Sequence, residues 1–265
     1  MWSNLARLAR HRTLIQSLVA RELTARYRGS VLGFFWSFVN PLLLLLIYAF
    51  VFGVLLPNRA VEPYALFLFC GILPWTWFSA SLLESSGSLL AGGNLIKRVL
   101  FPAEVLPIVA VLANMVHFFF GGLVLVAFLV GFRHAPDWSG LPWLPLVVAV
   151  QLAFTLGLAL LLSALTVHFR DIRDLLANFL TLGFWATPIV YPWTFEGLRD
   201  QPWFQWLLRV NPLAHLVIAY QELLFFEGPF SHLPWLALTG GVSLLVLLAG
   251  YWVFDRLRDS FAEVV

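Results

Sequence analysis

Charged side chains are absent from six long stretches of this chain: Gly29–Asn58, Pro63–Leu83, Val105–Phe132, Trp138–Val167, Leu175–Phe195 and Gly228–Phe254. Each reaches the roughly 20 residues that an α-helix needs to cross a bilayer. A water-soluble core cannot absorb so much apolar chain, since 61% of the 265 residues are hydrophobic and 11% are charged. The sequence therefore predicts an all-α polytopic membrane protein with six transmembrane helices. Two of them should begin late. Ser139-Gly140 and the prolines after it push the fourth toward Pro142, and Gly228–His232 belongs to the loop before the sixth.

Ahead of the first window, Thr13–Arg28 reads as an amphipathic interface helix. Leu14, Ile15, Leu18, Val19 and Leu23 recur at helical spacing, with Gln16, Arg21, Thr24 and Arg28 on the other face. Thr13 and Gln16 make a capping-box start, and Gly29 is a natural stop. Arg21, Glu22, Arg26 and Arg28 are its candidate contacts to lipid headgroups or to a partner. A surface helix thus feeds directly into a spanning one.

Sidedness follows from the basic residues. Arg7, Arg10, Arg12, Arg21, Arg26 and Arg28 place the N-terminus in the cytoplasm. Six crossings return Lys97, Arg98, Arg170, Arg173, Arg256 and Arg258 to that side, leaving only Arg59, Arg133, Arg199 and Arg209 outside. Trp138, Trp143, Trp193, Trp203, Trp206 and Trp235 then gather near the outer interface, as an aromatic belt would. Glu196–Glu227 is the awkward piece. Its polar interior, its shortness and Asn211-Pro212 argue for short re-entrant helices in the outer interface rather than a seventh span. The expected organisation is a cytoplasmic N-terminal region over residues 1–28, one membrane domain over 29–255 and a cytoplasmic tail over 256–265. No short apolar run with a small-residue cleavage site precedes Arg28, so no removable signal peptide is expected.

Several functions lack their residues. No G-x-x-x-x-G-K-[ST] loop precedes Lys97, the only lysine, so ATP has no P-loop in this chain. No predicted span holds an Asp or Glu near its centre, as an ion relay usually would. His117, the titratable group deep in a span, fits helix packing better than proton relay. The single cysteine, Cys70, excludes an internal disulfide and a multi-cysteine metal site. No nucleophile–base pair or metal cluster is visible, and a formal charge of +2 does not suggest nucleic acid.

Two cytoplasmic loops remain. Ala91–Pro102 opens on glycines and closes on proline around a short helix with apolar and basic faces, including Leu95, Lys97, Arg98, Val99 and Phe101. His168–Asp174 is dense in charge, with Arg170, Asp171 and Arg173 placed to form local salt bridges.

RELTARYRGSVLGFFWSFVNPLL, NLIKRVLFPAEVLPI, HFRDIRDLLANFLTLGFWATPIVYP and NPLAHLVIAYQELLF, taken in order along nearly the whole chain, resemble the membrane subunit of ABC-2-type polysaccharide exporters. Those move O-antigen, capsule or teichoic-acid polymers. The resemblance implies a homodimer in the bacterial inner membrane, two copies of a separate ATPase subunit that binds ATP and Mg, and export of a lipid-linked polysaccharide along the dimer interface. It also implies that the two loops are coupling elements contacted by the ATPase. Ring faces suit a sugar path because they pack against C–H faces and still let them slide. The candidates are Phe35, Trp36, Tyr48 and Phe52 on the first span, with Phe184, Trp185 and Tyr191 on the fifth, although most aromatics in such a chain face lipid or neighbouring helices.

Three alternatives stay open. One is a permease of the same class for a drug or small lipid. Another is a membrane-embedded enzyme using the outer acids Glu196, Asp200, Glu222 and Glu227. The third is an ATP-independent flippase. Topology is directly testable: cysteines at Arg133 and Arg199 should label from outside, and those at Lys97 and Arg258 only after permeabilisation. Outside labelling at Arg258 contradicts the expected topology.

Overall fold

The computed structural model describes residues 12–55, 61–97, 101–134, 139–194 and 196–264. All regular structure among them is helical. In chain order the helices are α1 (Arg12–Arg26), α2 (Trp36–Phe50), α3 (Tyr64–Ala91), α4 (Gly93–Ile96), α5 (Val105–Gly131) and α6 (Leu144–His168). Then come α7 (Ile172–Ala186), α8 (Glu196–Arg199), α9 (Pro202–Val210), α10 (Pro212–Leu224), α11 (Leu233–Leu257) and α12 (Phe261–Val264).

Four helices are long and apolar enough to cross a membrane. They are α3, α5, α6 with its leading turn from Leu141, and α11 with its trailing turn to Ser260. At 1.5 Å per residue each reaches about 40 Å, beyond the ~30 Å hydrocarbon layer. The first and fifth windows behave differently from the uninterrupted spans expected of them. α2 and α7 are each 15 residues long, about 22 Å of helix. Gly29, with φ +82, ends the approach to the first window, and a π-helical turn over Val51–Leu55 follows α2. α7 stops at Ala186 because Thr187 precedes Pro188 and is extended, with φ −108 and ψ 138.

The second window is longer than its charge-free limits. α3 runs past Leu83 to Ala91 and so carries Glu84 within the helix. The helix also begins before Thr13, which is therefore inside α1 and not its N-cap. The sixth span does begin at Leu233, after the Gly228–His232 loop.

α3 is the hub, buried along most of its length and in contact with α2, α5, α6, α7 and α10. Lipid tails are as apolar as leucine, so burying apolar surface gives little drive between helices in a membrane. Close packing and internal hydrogen bonds must supply it. α6 and α11 show the first. Gly157 and Gly250 meet at their crossing, where a Cβ on Gly250 would collide with the Gly157 carbonyl oxygen and a Cβ on Gly157 would lie 2.6 Å from Leu247 Cα.

Hydrogen bonds supply the second. Trp77 Nε1 donates to the Val111 carbonyl at 3.2 Å, and Gln151 Nε2 to the Pro74 carbonyl at 2.8 Å. The broken end of α7 is satisfied in the same way. Asn211 Nδ2 donates to the Ala186 carbonyl and Thr187 Oγ1, at 3.3 and 3.1 Å, and the buried Gln221 donates to the Pro188 carbonyl at 2.9 Å. α10 is thereby stitched to the helix end whose backbone it completes. Its 13 residues are too few to span, and Asn211 caps it by accepting from the Leu213 amide at 3.0 Å.

Gly250→Leu should wedge α11 from α6, an overpacking cost of about 1–3 kcal/mol or more, and sharply reduce the folded protein recovered from membranes. Gly241→Leu is the control, because a Cβ there meets nothing within 4 Å. Equal recovery of the two variants contradicts the crossing as a packing determinant.

Candidate functional site

α1, α4, the start of α5, the α6–α7 turn and α12 lie at one end of the bundle, here the basic end. α8, α9 and α10 follow the opposite end of α7.

α1 lies against α5. Leu14, Ile15, Leu18, Val19 and Leu23 are half-buried while Arg21, Glu22, Thr24 and Arg26 are exposed, so the predicted two-faced helix is present and its apolar face meets protein. Its last residue makes the joint. Arg26 donates to Glu84 at 2.7 Å and to Asn114 Oδ1 at 3.2 Å, and Asn114 Nδ2 donates to the same Glu84 oxygen at 2.7 Å. Three helices are thereby fixed by one charge-assisted triad. Next to it Ser37 donates to the Tyr27 hydroxyl at 3.1 Å, and Tyr27 faces His117 Nδ1 at 3.5 Å. His117 is thus part of helix packing, with its Nε2 buried and unbonded. Trp36 Nε1 donates to Ser30 at 2.8 Å across the glycine-bounded corner.

The segment after α3 stands between two clefts. The first is lined by Leu18, Arg21 and Glu22 of α1, by Gly92 and Leu95, by Leu106 of α5, and by Arg173. The second is lined by Gly93, Asn94, Lys97, Arg170 and Val264. Three stretches singled out separately in the sequence therefore converge on one surface. Its rims carry Arg21, Lys97, Arg170 and Arg173 together with the acids Glu22 and Glu84, and the first cleft has an apolar floor that includes Leu18, Leu95, Leu106 and Val109. Such a surface suits a partner with an apolar anchor and an acidic rim. Phe101 is half-buried, and Arg98 and Val99 lie outside the described residues. Arg28 is exposed beyond α1. The expected local salt bridges of the second loop do not form: Arg170, Asp171, Arg173 and Asp174 are all exposed and, among the described residues, none makes an ion pair. Arg170 and Asp171 precede α7 and Arg173 and Asp174 lie in its first turn, all in positions where an exposed ion pair gains little.

The seven aromatics nominated for a sugar path are not brought together. Tyr48 and Phe52 continue into Tyr64 and Phe67 as a ladder of rings, with Phe52 and Tyr64 4.8 Å apart. Phe184 packs edge-on against Trp75 at 5.8 Å. Tyr191 donates to the Trp185 carbonyl at 2.8 Å and leans on Phe204. Trp36 is half-buried at the corner, while Phe35 and Trp185 are 69% and 61% exposed. On α7, Asn178 and Thr181 are exposed beside Leu175, Phe179, Leu182 and Trp185. A bare helix face mixing amide, hydroxyl and aromatic groups is unlike a lipid-facing one. No pattern along the chain points to Glu84 and Asn114 as partners, because neither has a charged neighbour at helical spacing.

At the other end a histidine pair organises the loop before α11. His215 Nδ1 and His232 Nε2 are 3.1 Å apart, and His215 stacks on Trp235 with centroids 4.5 Å apart. Glu222 accepts from the Ser231 hydroxyl and amide and the His232 amide. It also lies 3.7 Å from His232 Nδ1, yet it is committed to those donors. Burial, then the neighbouring His215, holds His232 down to about 4. Burial likewise lowers His215, opposed by its bond to the Arg209 carbonyl. Glu222 thus serves the loop. No group of three His, Cys, Asp or Glu among the described residues could hold a metal.

The family described as ABC-2 type transporter matches residues 13–225. The chain is similar to the O-antigen export system permease protein RfbA of Myxococcus xanthus, 36% identical over 258 residues, 97% of each chain. A protein of the same name from Klebsiella pneumoniae is 33% identical over 254 residues, 95% of each chain. The polysialic acid transport protein KpsM of Escherichia coli is 24% identical over 244 residues, 89% of this chain and 92% of that one.

A histidine whose folded pKa is depressed binds protons more readily when unfolded. The stability held by the His215–His232 pair is therefore complete above about 6.5 and lost as pH falls toward about 4. Amide protection factors over residues 225–232, corrected for the intrinsic pH dependence of exchange, should fall as pH drops across that window, and His232→Gln should remove most of that fall. An exchange rate with the same pH dependence in both proteins refutes the assignment.

Proposed function

The chain belongs to the ABC-2 type transporter family, and on that footing we propose that it is the membrane subunit of an ATP-driven exporter of a lipid-linked polysaccharide. The observation that carries this proposal is the convergence of α1, the Gly92–Lys97 segment and the Arg170–Arg173 turn on one surface at the basic end. A subunit without a P-loop must receive work through contacts, and those contacts need short rigid elements joined directly to spans. α4 leads out of α3 and, within a few residues, into α5. α1 is pinned to α3 and α5 by the Arg26 triad. The names of its relatives, O-antigen export permeases and a polysialic acid transport protein, support polysaccharide as the cargo class.

In the proposed assembly two copies pair in the bacterial inner membrane and two ATPase subunits, holding ATP and Mg, dock on their basic ends. α2 and α7 complete six crossings, placing both termini in the cytoplasm. Their uncovered faces meet the second copy, and the path runs between them. Asn178, Thr181 and Trp185 favour that placement over a lipid-facing one. Phe35 and Trp185 are the aromatics of the original seven left free to touch a sugar. Tyr48, Phe52 and Phe184 would instead shape the wall from behind.

Two tests follow. Purified alone, the chain should hydrolyse no ATP above background. In the complex, Leu95→Asp places a charge on the apolar floor, where buried anchors typically carry 2 kcal/mol or more, and should lower export by about tenfold or more with normal membrane insertion. Lys97→Ala, on the exposed rim, should cost about twofold or less. Unchanged co-purification, ATP turnover and export after Leu95→Asp contradict the docking surface.

A further inference from the structure

The last span does not end free. After Leu257 the chain makes one 3-10 turn, Arg258–Ser260, and closes with α12. Phe261 is fully buried among Leu89, Leu160, Val167 and Phe254, which belong to the ends of α3, α6 and α11, with Ile96 of α4 against the same cluster. Its ring meets Phe254 edge-on at 5.2 Å. Ser260 and His168 Nε2 are hydrogen-bonded at 3.0 Å, and Val264 completes the cleft that holds Lys97 and Arg170.

Beside this cluster lies Glu104, the residue before α5, only 2% exposed. Its Oε2 has no hydrogen bond, and Arg258 Nη2 stands 3.7 Å away. As a stabilising device this is poor. A buried carboxylate with one loosely placed cation costs more in desolvation than it regains, and an apolar pair would hold these residues as well. A loose charge pair has one property that apolar contact lacks. Its attraction falls slowly with distance and survives sliding of an ångström or two, whereas packing and hydrogen bonds do not. Here it joins the end of the 93–104 segment to the end of the last span.

We propose that Glu104, Arg258 and Phe261 are positioning residues that carry displacement of the Gly93–Pro102 segment into the last span. The C-terminal turn is then a further transmission element beside α1, α4 and the Arg170–Arg173 turn. This rests on the assignment of that segment as the surface on which an ATPase acts.

The test uses the full chain with its ATPase in sealed vesicles and reads polymer moved per ATP hydrolysed. That ratio is insensitive to how much complex is recovered. Arg258→Gln and Phe261→Ala should each lower it by about fivefold or more, with ATP turnover within about twofold of the unaltered complex. Arg258→Lys should preserve the ratio. The double variant Glu104→Gln with Arg258→Gln separates positioning from mere charge neutralisation, since it leaves no unpaired buried charge. It should stay as uncoupled as Arg258→Gln. Recovery of the full ratio in the double variant, or an unchanged ratio in Arg258→Gln, overturns the proposal. Failure of the underlying assignment looks different: the unaltered chain itself neither alters ATP turnover nor moves polymer, which overturns both.

Discussion

An arginine, a glutamate and an asparagine from three helices meet where the chain turns from its surface helix into the bundle. Arg26, Glu84 and Asn114 form a closed triad, with every contact 3.2 Å or shorter. Among the described residues of α1 no other side chain makes a polar bond to the spans, and the rest of its packed face is leucine, isoleucine and valine. In a membrane setting, where apolar contact between helices gains little over contact with lipid, such a bond set decides orientation. The triad also explains why α3 can carry an acid within a span-length helix: the charge is neutralised on the spot.

The same physics governs the broken helices. A helix end inside apolar surroundings must find partners for its last carbonyls or it cannot stay there. α7 stops at Thr187-Pro188, and Asn211 and Gln221 from the following hairpin of short helices supply the donors. The short helices therefore complete the end of α7 rather than forming an appendage to it. Two 15-residue helices stand out from the four long ones: α2 runs on into a π-helical turn at Val51, and α7 is cut short before Pro188 and its end is completed by Asn211 and Gln221.

Much of this was legible in the residues. The charge-free windows located every long helix among the described residues, helical spacing found the two faces of α1, and the polar interior and proline of Glu196–Glu227 marked it as short helices. The windows fail at their edges, because they treat a charged residue as a helix end. Glu84 shows why that fails: one paired acid does not stop a helix. The pairings themselves were not legible. Glu104 and Arg258 are 154 positions apart along the chain, and only the fold brings them together. The aromatic candidates divided between exposed and packed positions for the same reason, since ring content says nothing of which face a neighbour covers.

The central claim is that α1 and the Gly92–Lys97 segment form one docking surface for an ATPase. Cross-linking tests it most directly, and the chain is suited to it, since its single native cysteine, Cys70, is 1% exposed. Cysteines introduced one at a time at Arg21 and Leu95, treated with a short thiol-to-amine cross-linker in the intact complex, should both capture the ATPase subunit, at peptides of one contiguous surface. Capture from neither position, or from the two positions at unrelated surfaces, would contradict the account.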